Sequence, residues 1–175
     1  MKRGRKSTIR ILIIVALVSA IGYAIYEGII KERYPNVVEG DKAPYFALKS
    51  IDNEKVEINN ITKDGVIINF WATWCDYCQR EMPAFENIYK QYKDKNIEII
   101  SINLQEPETD VKKYIKEKEL SFPVVIDTEG EVSKKYQVTT VPTTYLLDSK
   151  GKVIKKNVGE MDEKMLEGWM KQITH

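Results

Sequence analysis

The chain of 175 residues has two cysteines and one histidine. A closed structural zinc site takes four ligands. The single histidine is His175, the last residue, so no metal site is expected. Two cysteines cannot build a multi-bridge disulfide framework either. No sign of charge dominates: 27 Lys and Arg stand against 26 Asp and Glu, a net charge of +1. That balance removes the basic footprint of a nucleic-acid binder. Internal repeats and low-complexity segments are absent, and no cofactor is called for. What remains, at 43% hydrophobic and 30% charged residues, has the composition of a globular body with a short appendage.

The appendage is N-terminal. Lys2, Arg3, Arg5, Lys6 and Arg10 form a basic segment over 1–10. Residues 11–26 carry no charge, Glu27 interrupts, and Gly28–Ile30 are apolar again. Taken from 11 to 30, the stretch is about 30 Å long as a helix, enough to cross a bilayer. The basic flank stays on the cytoplasmic side and sends the rest of the chain out. The expectation is a single-pass signal anchor in the cell membrane, with the following domain extracytoplasmic. The alternative is a cleaved signal peptide, with Val18–Ala20 as the cleavage site. Against it, the apolar run continues past that point. Residues 31–40 read as a linker and 41–175 as the globular domain.

Within the domain, Tyr45–Lys49 and Lys55–Ile58 flank a turn at Asp52–Asn53 and read as a hairpin. Gly65–Ala72 is an almost unbroken apolar run, the mark of a strand buried on both faces. Phe85, Ile88, Tyr89 and Tyr92 then form one helical stripe. Ile97–Leu104 is a strand, a helix capped by Thr109 or Asp110 follows, and Phe122–Asp127 is a short strand. Glu131–Val138 holds a helical turn. Thr143–Asp148 and Lys152–Gly159 pair as a hairpin, and Met161, Met165, Leu166, Trp169, Met170 and Ile173 mark a closing helix. The order predicts an α/β fold in which βαβαβ supplies parallel strands and the last hairpin antiparallel ones.

Both cysteines lie in FWATWCDYCQREMP, Phe70–Pro83, at the junction of the buried strand and the helix. A bridge between Cys75 and Cys78 closes too short a loop to stabilise much. A cycling dithiol fits better. Cys75 at the first helical position would meet free N–H groups and the positive end of the helix dipole, which favour a thiolate. The thiolate is the attacking species in disulfide exchange. Cys78, one turn on and better shielded, would resolve the mixed disulfide. Asp76, beside Cys75, opposes thiolate formation and leans the couple toward a reductant.

The motif, followed by TTVPTTYLLD with Pro142, resembles the active site and cis-proline loop of thioredoxin-like proteins. The anchor, the opening GDKAPYFAL and the CQREMP tail narrow the resemblance to membrane-tethered thiol-disulfide oxidoreductases of the ResA/TlpA/CcmG type. It implies a thioredoxin-like α/β fold: a central mixed sheet flanked by helices, with an extra N-terminal β-hairpin, preceded by one transmembrane helix. It implies a protein-disulfide reductase that acts on the haem-site cysteines of apocytochrome c during cytochrome c maturation. An integral-membrane thiol carrier would be the electron donor. In such proteins a glutamate follows the second cysteine at the spacing of Glu81, so an acid–base role on Cys78 is expected there. Asn69 stands where thioredoxins carry a buried aspartate. Pro142 is expected cis, with Val141 presenting its backbone to substrate, and Trp74 and Tyr77 rimming the site. Pro83 is expected to kink the helix. CDYC departs from the proline-containing pairs common in the family. The alternatives are a thiol oxidase or isomerase, or a spore-envelope oxidoreductase, on the same fold. A peroxidase would need a P-x-x-x-T-x-x-C context that is absent, and a non-catalytic haem- or protein-binding module has no motif here.

Overall fold

The structure is a computed structural model that describes residues 2–33, 36–60 and 62–173, with side chains for 10–26, 36–60 and 62–173. His175 and its expected lack of a metal role lie outside these residues. In chain order the elements are α1 (Lys2–Arg33), β1 (Ala47–Lys49), β2 (Lys55–Glu57), β3 (Gly65–Trp71), α2 (Asp76–Tyr92), β4 (Ile97–Leu104) and α3 (Glu108–Glu117). They continue with β5 (Val124–Asp127), α4 (Glu131–Lys135), β6 (Thr143–Asp148), β7 (Val153–Val158) and α5 (Glu163–Ile173).

The chain forms two compact units, Met1–Pro35 and Asn36–His175. In the first, α1 exposes every side chain described, 10–26. Among the described residues no helix is long and apolar enough to cross a membrane. The transmembrane expectation over 11–30 is corrected to that extent; its last four positions, 27–30, lie outside the described side chains. The second unit begins earlier than the expected 41, because Val37 is buried in its core.

β3 sits at the centre of a five-stranded sheet of order β5-β4-β3-β6-β7. It is parallel to β4, which is parallel to β5; β6 is antiparallel to β3, and β7 to β6. This is the mixed sheet the element order predicts. All seven residues of β3 are buried, which explains its near-continuous apolar sequence. Side chains alternate across the sheet. Ile67 and Trp71 enter one core with Met82, Phe85 and Ile88 of α2 and Leu166 and Met170 of α5. Val66, Ile68 and Phe70 enter the other with Val37, Phe46, Val132, Tyr136 and Tyr145. By the same parity Asn69 points toward α2, which later decides its partner.

β1 and β2 form the expected antiparallel hairpin as a separate two-stranded sheet. Its end covers the β5 edge, where Ser50 bridges Val125 and the Ile51 N–H donates to Val124 O at 3.1 Å. The preceding segment covers β7, where Gly40 N–H donates to Val153 O at 2.8 Å. Both sheet edges thus lose part of their free pairing capacity. Tyr136 Oη donates to Pro44 O at 3.0 Å and fastens this segment to the second core.

Several element boundaries differ from expectation, among them those of α3, β5 and α5. α3 starts at Glu108 behind Pro107, with no side-chain cap, so neither Thr109 nor Asp110 is the cap. Proline fixes φ and needs no helical N–H partner at that point. β5 starts after Pro123, which has no N–H to give a ladder. Met161 precedes α5 yet is fully buried, whereas Met165 on α5 is exposed. α2 runs without interruption through Pro83.

Candidate active site

β3 ends at Trp71, and four residues later the chain turns into α2. Cys75 is the N-cap rather than the first helical residue, with extended backbone at φ −86° and ψ 111°. Its Sγ accepts a hydrogen bond from Cys78 N–H at 3.1 Å, so the sulfur takes one of the free donors at the helix start. Cys75 and Cys78 are joined as a disulfide, with Cα atoms 5.2 Å apart. Cys78 is fully buried and Cys75 is 5% exposed, so Cys78 is the better shielded of the two, as expected, but the difference is small. The Val141 carbonyl explains part of the cover, lying 3.7 Å from Cys75 Sγ. The Val141–Pro142 peptide bond is cis, as the resemblance implies. Trp74 and Tyr77, on either side of Cys75 in sequence, are 68% and 59% exposed. Asp76 is exposed on the first residue of α2. Trp71 is fully buried against Tyr114, ring centroids 5.2 Å apart, so its role is packing.

Glu81, three residues after Cys78, is 1% exposed. Its Oε1 accepts from Asn69 Nδ2 at 2.9 Å and its Oε2 from Met161 N–H at 3.1 Å. Asn69 Nδ2 also donates to Thr144 Oγ1 on β6 at 3.1 Å, across the β3–β6 register. Burial pushes the Glu81 carboxyl up from 4.5 to about 7, and the nearby Glu160 pushes it the same way. The hydrogen bonds from Asn69 and Met161 hold it from rising further. A carboxyl with this affinity exchanges protons at neutral pH. The structure therefore gathers Cys75, Cys78, Glu81, Val141 and Pro142 at one end of β3, with Asp76, Trp74 and Tyr77 outside them.

Two features had no sequence expectation. Glu106, just past β4, accepts from Thr73 N–H at 2.7 Å, from Thr73 Oγ1 at 2.5 Å and from Asn103 Nδ2 at 2.6 Å. It fixes the turn that carries Trp74 and Cys75; Gln79 Nε2 holds the same turn through Thr73 O at 2.7 Å. The signal for it was the parallel pairing of β3 with β4, where Trp71 stands opposite Asn103 and brings the ends of the two strands together. The second feature is Arg80, which pairs with Glu160 from the β7–α5 connection. Nothing in the sequence links residues so far apart.

Residues 39–156 match the AhpC/TSA family. The chain is 36% identical over 165 residues to a thiol-disulfide oxidoreductase ResA of Bacillus cereus, covering 94% of this chain and 95% of that protein. It is 36% identical over 173 residues to the thiol-disulfide oxidoreductase ResA of Bacillus subtilis, covering 99% and 96%. Among solved structures, a protein from Chlorobium tepidum described as thiol:disulfide interchange protein DsbE superposes with a TM-score of 0.75 at 30% identity, over 80% of this chain and 100% of that one. StoA from Bacillus subtilis superposes with a TM-score of 0.66 at 32% identity, over 73% and 97%.

The raised affinity of Glu81 has a thermodynamic consequence. Between 4.5 and about 7 the folded chain holds a proton there that the unfolded chain has released. Stability from this group is therefore fully present below 4.5 and is lost as pH rises through about 7. At about 1.4 kcal/mol per pH unit the loss is on the order of 3 kcal/mol. Urea denaturation of the oxidised domain from pH 4.5 to 8 should show this decline, and Glu81→Gln should flatten it. An equal decline in the variant would assign it to other groups.

Proposed function

We propose, from the premise that this chain belongs to the AhpC/TSA family and is a thiol-disulfide oxidoreductase of the ResA type, that it works as a protein-disulfide reductase at the extracytoplasmic face of the membrane. Its proposed client is an apocytochrome c whose two haem-site cysteines have become oxidised. The observation that carries this reading is the buried Glu81 carboxyl one helical turn past Cys78, with a proton affinity near neutral. In the reductive direction Cys78 must lose its proton before it can attack, and Glu81 is the acceptor at hand.

The chemistry runs in two exchanges. The reduced Cys75 thiolate attacks one sulfur of the client disulfide, forms a mixed disulfide and expels the other client sulfur as a thiolate. Glu81 takes the proton of Cys78. The Cys78 thiolate then attacks Cys75 Sγ, which frees the second client sulfur and leaves the Cys75–Cys78 disulfide seen in the structure. Two electrons have passed to the client. An integral-membrane thiol carrier returns two electrons and restores the dithiol. Trp74 and Tyr77 supply an apolar docking rim, and the Val141 backbone beside Cys75 receives an extended client segment. Asp76, one residue from Cys75, disfavours the thiolate and lowers the oxidising power of the couple. Residues 1–30 are the candidate membrane tether, although their described part, 10–26, is not by itself long and apolar enough to cross a bilayer. The basic cluster Lys2–Arg10 ahead of an uncharged stretch supports that orientation.

Three measurements test this reading. Exchange with a model disulfide should show an inflection near pH 7 that Glu81→Gln removes; an unchanged profile would exclude Glu81 from the proton step. The reduction potential should lie near or below about −270 mV, whereas a value near about −120 mV would make the protein an oxidant. In cells, Cys78→Ser should accumulate mixed disulfides on Cys75 with polypeptides that carry C-x-x-C-H segments. Capture of spore-envelope proteins instead would replace the proposed client.

A further inference from the structure

Arg80 stands on the exposed side of α2, between Tyr77 and the β7–α5 connection. Its Nε donates to Glu160 Oε2 at 3.0 Å, and its Nη2 lies 2.9 Å from the same oxygen. The guanidinium also stacks over the Tyr77 ring at 4.5 Å from the centroid. One side chain thus ties the first turn of α2 to the segment 159–162. That segment makes two contacts with the site. Gly159 N–H donates to Pro142 O at 2.9 Å, and Met161 N–H donates to Glu81 Oε2 at 3.1 Å. Glu160 lies directly between them in sequence. The side chain that anchors the segment on the outside therefore flanks the amide that reaches the buried carboxyl on the inside.

We propose that Arg80 is a positioning residue for proton exchange at Glu81: its ion pair with Glu160 holds the β7–α5 segment so that the Met161 N–H remains aimed at Glu81 Oε2. The inference rests on the reading of Glu81 as the proton acceptor for Cys78. The groups facing the Glu81 carboxyl are few. Asn69 from β3 donates to it, Met161 from the segment donates to it, and Glu160 is the charged group whose field reaches it. Without Arg80, both changes act in one direction. The Met161 amide is released, which removes a donor that favours the carboxylate, and the Glu160 charge is left uncompensated, which disfavours it. The ion pair is partly exposed, with side-chain exposures of 53% and 35%, so its loss does not threaten the fold. A lysine keeps the charge but not the planar fork and the ring stacking.

The test is a carbon-13 carboxyl titration of Glu81 by NMR in the oxidised full-length protein, with amide exchange read at Met161. Arg80→Gln should raise the Glu81 midpoint by about one pH unit and speed exchange at Met161 by roughly tenfold. Arg80→Lys should restore the midpoint only in part. Glu160→Gln should release the Met161 amide as fully as Arg80→Gln but raise the midpoint less, because it also removes the nearby negative charge. An unmoved midpoint in Arg80→Gln would overturn the proposal. A moved midpoint with unchanged Met161 exchange would overturn it too, since the effect would then be through-space charge alone. Both readouts follow the carboxyl itself. If Glu81 proved idle in disulfide exchange, that failure would appear in the Glu81→Gln rate profile and not here.

Discussion

A carboxyl group with almost no water contact lies behind the disulfide, and its energetic balance governs the site. Burying an ionised carboxylate without partners costs many kcal/mol, so a lone group would stay protonated throughout the neutral range. Two donors, the Asn69 amide and the Met161 N–H, recover part of that cost for the charged form. The offset is incomplete, and the result is a proton affinity near 7. A third donor would move the balance toward the anion, and loss of both would move it toward the acid. The number of hydrogen bonds, set by three separate elements, is what makes it a group able to change state.

Those elements meet because of the sheet. β3 is central, so residues at its C-terminal end have β4 on one side and β6 on the other. Alternation sends Asn69 to the α2 face, where it reaches Glu81, and the β3–β6 register brings Thr144 beside it. α2 presents Cys78, Glu81, Met82 and Phe85 inward at helical spacing, so the Cys78 sulfur and the carboxyl share the face that packs on β3. The β7–α5 connection then passes over Glu81, and Met161, buried ahead of α5, delivers its amide. The proposed acid–base group is embedded in the core, and the proposed nucleophile caps the helix that carries it. Core packing and redox chemistry therefore use the same interface.

The element order and the approximate strand positions were legible because they rest on local signals. The apolar run of β3, the stripe of α2 and the turn at Asp52–Asn53 each show in a short window. The pair of cysteines, the proline of the cis loop and Glu81 were legible as a motif. Legibility fails where long-range contact decides. The shielding of Cys75 depends on Val141, which is distant in sequence. The partners of Glu81 are a strand residue and a backbone amide from a loop. Glu106 looks like any acidic residue in a polar loop until the end of β4 is placed beside Thr73. The N-cap of α3 is illegible for a different reason: Pro107 precedes the helix with its φ fixed and brings no side-chain oxygen.

Asn69 shows why the acid sits on the helix and not on the strand. An aspartate at 69 would place two carboxyls at opposite ends of one short hydrogen bond, in a pocket with almost no water. The pair would share a proton, and its two apparent affinities would be pushed apart, one well above and one well below neutrality. Neither would then match the range in which a buried thiol has to be deprotonated. An asparagine gives two fixed N–H donors in the same space, one to Glu81 and one to Thr144. It lowers the affinity of the carboxylate without competing for the proton. A single titrating group behind Cys78 thus needs a neutral residue at the strand position, and the asparagine on β3 and the glutamate on α2 are two halves of one electrostatic arrangement.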